Sequence, residues 1–118
     1  MGSASKGYGC PVEALMAAVG GRWKPVILYY LMGETRRFGE LRRLIPNVSQ
    51  RMLTQHLREL EDDGLAHREV YREVPPRVEY SLTERGRSLE PLLLQMHDWA
   101  ATHLVGVEPS EGSATAPA

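Results

Sequence analysis

The apolar positions of the chain follow two periods. Up to residue 65 they recur at helical spacing, and then two short runs alternate. Val12, Leu15, Met16 and Val19 make one helical face; Pro11 suits its first position and Gly20-Gly21 ends it. "RWKPVILYYLM" is apolar almost all round, which predicts a central, buried helix with Pro25 tolerated in its first turn. Gly33 closes it, and "TRRF" is too short for more than a bridge or stub strand. "GELRRLI" predicts a short third helix, with Leu41, Leu44 and Ile45 inward and Arg42 and Arg43 outward. Pro46-Asn47 makes a turn. Ser49 then caps a fourth helix, whose Leu53, Leu57 and Leu60 recur at i, i+4 and i+7 until Asp62-Asp63-Gly64 ends it.

Beyond Gly64 the period moves towards two. "LAHREVYREV" and "RVEYSLT" are strand-like and joined through Pro75-Pro76. Val78, Tyr80 and Leu82 alternate with Arg77, Glu79 and Ser81, whereas the first strand alternates imperfectly and its inner face stays open. Thr83 caps a last helix that carries Leu89, Leu92, Leu93, Met96, Trp99, Ala100 and His103, and Pro91 should kink or restart it. The expected organisation is a disordered N-terminal segment (1–9), one domain (10–105) and a disordered tail (106–118).

The expected fold class is mainly α with a small β-hairpin (α+β). Two helices joined by a short turn and followed by a hairpin make a winged helix-turn-helix. Its second helix lies in the major groove and presents its N-terminal residues to base edges. Once Leu53, Leu57 and Leu60 are buried, Ser49, Gln50, Arg51, Thr54, Gln55 and Arg58 are the face left over. Arg pairs with guanine and Gln with adenine, Ser and Thr bond phosphates or bases, and the helix N-terminus favours phosphate.

Charge sharpens this picture only when it is mapped along the chain. The net charge is −1, which announces no polyanion partner. Yet Arg36, Arg37, Arg42, Arg43, Arg51 and Arg58 fall in one stretch with Glu40 as the sole acid, while acids dominate from Glu84 onward. A basic middle suggests a surface that faces double-stranded DNA; a merely solvated Arg-rich face is the competing reading. At the hairpin tip, Arg72 and Arg77 flank a rigid Pro-Pro and could meet the backbone or a narrow minor groove, or simply decorate a connector.

Composition excludes several classes. No apolar run approaches the ~18 residues of a membrane span. The start "MGSASKGYG" has no secretory apolar region, and Lys6 breaks the myristoylation pattern, so a cytoplasmic location is expected. Cys10 is the only cysteine, which rules out an internal disulfide and a thiolate zinc cluster. His56, His67, His97 and His103 form no metalloenzyme spacing, Asp98 beside His97 is a helix neighbour rather than a facing dyad, and no glycine-rich phosphate loop exists. An enzyme, a cofactor and a metal are therefore not expected. A winged helix that binds a ligand or protein and no DNA is the alternative.

Taken as a set, "CPVEALMAAVGGRWKPVILYYL", "RRFGELRRLIPNVSQRMLTQHLRELEDDGL" and "REVYREVPPRVEYSLTERG" resemble the HxlR-type family of bacterial winged helix-turn-helix regulators, from Cys10 to about Trp99. The resemblance implies a homodimer bound to an inverted repeat, dimerisation through the first and last helices and, for a subset, control by a cysteine just before the first helix. Cys10 stands at that position, and the residues name no effector.

Dimerisation also follows from the pattern itself. The central helix and the helix pair already make a core. Val12, Leu15, Leu92, Leu93, Met96 and Trp99 would then form an exposed patch larger than monomers usually tolerate, unless both helices fold back on their own domain. Cys10 precedes a helix N-terminus, whose dipole favours thiolate, and a lone thiol can react with an electrophile or join a partner subunit's. A small semi-buried structural residue is the competing reading.

Overall fold

A computed structural model of the chain describes residues 7–104. The expectations for residues 1–6 and 105–118 lie outside the described residues. The elements are α1 (Pro11–Val19), α2 (Lys24–Leu31), β1 (Arg36–Arg37), α3 (Phe38–Leu44), α4 (Gln50–Asp62), β2 (Ala66–Tyr71), β3 (Arg77–Leu82), α5 (Glu84–Arg87) and α6 (Glu90–His103). The fold is a winged helix-turn-helix, as the periodicity predicts.

The core sits where α2, α3 and α4 meet. Ile27, Leu28 and Leu31 of α2, Leu41 of α3, and Leu53, Leu57 and Leu60 of α4 are essentially sealed from solvent. Burying the three α4 leucines contributes on the order of 5–9 kcal/mol. The Ser49 cap, whose Oγ accepts from Met52 N at 3.1 Å, adds about 1 kcal/mol. Packing therefore fixes where α4 lies, and the cap fixes where it begins.

The stub strand is real. β1 pairs antiparallel with β3, with Arg36 opposite Tyr80, and β3 pairs with β2 to give the order β1-β3-β2. The register sets Ala66 opposite Leu82, Arg68 opposite Tyr80 and Val70 opposite Val78. Opposed residues in an antiparallel pair share a face, so Ala66, Arg68 and Val70 lie on the inner side. Only Ala66 of the three is buried, because β2 runs outward past the edge of the core. That is why its alternation looks imperfect in the sequence.

Pro91 restarts a helix and does not kink one. Thr83 caps the single turn of α5, donating to Gly64 O at 2.6 Å and accepting from Gly86 N at 2.9 Å. Gly86 is required there: a Cβ would meet Leu65 O at 2.1 Å. Pro91 then occupies the first turn of α6.

Candidate nucleic-acid interface

Every apolar residue of α4 except Met52 points inward, so the outward face is polar by default. Gln50, Arg51, Thr54, Gln55 and Arg58 are all exposed on it. Thr54 Oγ1 donates to Gln50 O at 2.8 Å. Its proton is thus committed within the helix, and it offers its methyl group and lone pairs outward. Gln55 Nε2 donates to Glu59 Oε2 at 3.2 Å, an exposed bond that a base edge can replace.

Glu59, one of the acids that border this face with Asp62 and Glu61, is occupied. Lys24 Nζ of α2 lies 2.9 Å from its Oε1, and His56 Nδ1 lies 3.5 Å away. The Lys24 hydrogen bond foremost, with those from Gln55 and His56, holds the Glu59 carboxyl down to about 2. Lys24 thereby neutralises the charge that would otherwise draw in Arg51 or Arg58. Among the described residues, Arg43, Arg51, Arg58 and Arg72 make no ion pair. Unpaired guanidinium groups clustered around a helix are what a polyanion surface requires.

Two of the expected DNA contacts are spent elsewhere. Arg36 Nε donates to Tyr30 O at 2.8 Å, and its Nη1 lies 3.1 Å from Glu34 Oε1. It closes the α2–β1 junction, because strand pairing turns it back over the end of α2. Arg77 is held 3.0 Å from Glu73 Oε2 and 3.4 Å from Glu79 Oε2, with its guanidinium 4.0 Å over the Tyr71 ring. It braces the wing and does not project from it. Arg72 and the fully exposed Val74 remain at the tip. Arg42 is half-buried, with its Nε enclosed and unpartnered, so Arg43 is the more open of the two α3 arginines.

The opposite flank has another character. Val12 and Trp99 are 58% exposed, and Met16, Leu92, Leu94 and Met96 are also open. Leu93, expected among the exposed patch, is instead buried in the domain's own core, and Leu15 is half-buried against it. A helix as broadly apolar as α6 serves both sides, and Leu93 falls on the inner one. His97 stacks on Tyr29 at 5.3 Å and does reach Asp98, at 3.1 Å. Cys10 is exposed and occupies the N-cap position of α1. Among the described residues no His, Cys, Asp or Glu group could hold a metal, and no helix is long and apolar enough to cross a membrane.

Comparison with known proteins agrees with this geometry. Residues 18–107 match the family described as HxlR-like helix-turn-helix. The chain belongs to that family. The uncharacterized HTH-type transcriptional regulator YdeP of Bacillus subtilis (strain 168) is 52% identical over 105 residues, 89% of this chain and 82% of that one. Among solved structures, the redox regulator HypR in its oxidized form is 55% identical, with a TM-score of 0.77 over 79% of this chain and 96% of that one. Diamide-treated YodB from B. subtilis is 38% identical, with a TM-score of 0.66 over 80% and 94%. As a member of this family the chain is a DNA-binding transcriptional regulator.

Two features of this HxlR-like interface escape sequence reasoning. The Lys24–Glu59 pair joins residues 35 positions apart, on helices whose approach only the fold reveals. Arg68 lies across a groove from α4, a placement that depends on the β2–β3 register.

Proposed function

We propose that this regulator acts as a homodimer on an inverted-repeat operator, and that Cys10 couples its DNA affinity to electrophiles or oxidants. The observation that carries the first part is the pairing of two unlike surfaces on one small domain. α4 offers free guanidinium and amide groups, while α1 and α6 leave Val12, Met16, Leu92, Met96 and Trp99 uncovered. A two-fold partner on the apolar flank would cover that patch and supply a second recognition helix. Two such helices suit half-sites about 34 Å apart, one turn of DNA. In each half-site Arg51 and Gln55 are the base readers, Gln50 and Ser49 support them at the helix start, and Arg43 and Arg72 take the backbone.

The second part rests on the position of Cys10. It stands at the N-cap position of the helix that borders the apolar flank, its side chain makes no cap bond, and its thiol is open to reagents. HypR is described as a redox regulator, and YodB was studied after diamide treatment. Addition of an electrophile at the sulfur, or its oxidation by diamide to a disulfide between protomers, would change how α1 sits against its partner and so the spacing of the recognition helices.

Selection from a random DNA pool tests the first part: the recovered sequences should be palindromic, with half-site centres one helical turn apart. Recovery of no preferred sequence would instead favour a winged helix that binds protein or ligand. For the second part, diamide should alter operator affinity in the parent and leave Cys10→Ser unaffected. An equal response of both proteins would make Cys10 structural.

A further inference from the structure

We infer that the groove between α4 and β2 seats the DNA phosphates that flank the major groove, gripped by Arg58 from one wall and Arg68 from the other. The inference rests on the DNA-bound reading above and divides its contacts into two kinds.

The groove is lined by Thr54, Arg58, Glu61, Arg68 and Tyr80. Thr54 and Arg58 also border the recognition surface shared with Gln50, Arg51 and Gln55. The groove therefore opens on the wing side of the same helix face. Arg58 lies about two turns beyond Gln50, past the N-terminal residues that meet base edges. What a major-groove helix meets beside its later turns, between itself and a wing, is sugar–phosphate backbone.

Sheet register puts Arg68 there. Arg36, Tyr80 and Arg68 form one row across the three strands, on one face. Tyr80 is buried in the middle, and the guanidinium of Arg36 is taken by Tyr30 and Glu34. Arg68, at the α4 end of the row, is exposed. Among the described residues neither Arg58 nor Arg68 makes a hydrogen bond or an ion pair, although Glu61 lines the same groove. Two unpaired cations facing one groove repel one another. A phosphodiester entering between them would relieve that repulsion and accept charge-assisted hydrogen bonds from both. Arg58 is thereby a positioning residue, and sequence discrimination is left to Arg51 and Gln55.

The test measures binding of the full chain to its selected operator and to random duplex by fluorescence anisotropy, across a salt series. Arg68→Ala and Arg58→Ala should weaken both DNAs by the same factor and reduce the salt slope by about one per protomer. Arg68→Lys should keep the slope. Glu61→Gln, which removes a carboxylate from the groove, should tighten both complexes; it also serves if either alanine variant fails to fold. An unchanged slope in Arg68→Ala, or a loss confined to the operator, would overturn the inference while parental operator binding upheld the DNA reading. A parent that bound neither DNA would remove both.

Discussion

Helices α4 and α6 are nearly the same length, 13 and 14 residues, and they point opposite chemistries at the outside. On α4 three leucines go in, and amides, hydroxyls and guanidinium groups stay out. On α6 only Leu93 is buried, and Leu92, Leu94, Met96 and Trp99 remain open. Both helices are anchored to the same core, so anchoring does not explain the difference. Water alone can satisfy the α4 face; for the α6 face it is a poor solvent. One surface has the chemistry that suits a charged partner in a wet, salt-screened contact; under the proposed dimer, the other would make a dry contact with something equally apolar.

Salt should separate the two most widely. If the α4 side neutralises ~6–10 phosphates in the dimer, DNA affinity falls about 10³–10⁵-fold between roughly 50 and 200 mM salt. Self-association through α1 and α6 should hardly change over the same range, since apolar burial is not screened. Anisotropy titration and sedimentation in matched buffers check both. A flat salt response of DNA binding would dissolve the contrast.

Substitution should break one side at a time. Trp99→Glu places a charge on the apolar flank, where burial without a partner is costly. Light scattering should show monomers. With only one half-site engaged at a time, operator affinity should drop on the order of 10²–10⁴-fold while circular dichroism stays native. Light scattering that finds the parent monomeric removes the premise. Conversely, Arg51→Ala or Gln55→Ala should leave the dimer intact and cost roughly 1–3 kcal/mol on the operator, with much less on random duplex. Equal losses on both DNAs would mean that these side chains touch phosphate only.

Periodicity was sufficient for the element order, the inner leucines of α4 and the polar remainder that faces out. It failed at residues whose contacts depend on how strands pair and helices pack, even where the partner is only a few positions away. Arg36 in the basic stretch and Arg77 at the hairpin tip look like free cations, and only the folded geometry reveals the Tyr30 carbonyl and the Glu73 and Glu79 carboxylates that hold them. Leu93 and Leu92 are adjacent on a helix that is apolar over a wide arc, and hydropathy alone assigns neither to a side. Arg68 hides in a strand with irregular alternation, because the hairpin outruns the core and leaves inner-face positions in solvent. In each case the missing information is register or contact, which a one-dimensional pattern does not carry.

The smallest expected effect concerns the tie that keeps α4 in place beside α2. Lys24 Nζ meets Glu59 Oε1 at 2.9 Å, an ion pair that joins the two helices. The Glu59 carboxyl is held down to about 2 from an ordinary 4.5, chiefly by the Lys24 hydrogen bond. A carboxyl depressed in the folded state stabilises that state above its unfolded pKa, and the contribution disappears as pH falls through the folded one. The tie should therefore be fully present near neutral pH and fade as pH drops from 4.5 towards 2. The Glu59 carboxylate is open to solvent, although the Lys24 side chain is largely covered, so screening keeps the contribution small and makes it shrink further in salt. Thermal unfolding of the parent and of Glu59→Gln across this range checks the sign: the parent's advantage should be constant above the window and narrow within it. An advantage that persisted unchanged to the acid limit would trace to the shape of the side chain rather than its charge, and α4 would then be held on the body by its leucines alone.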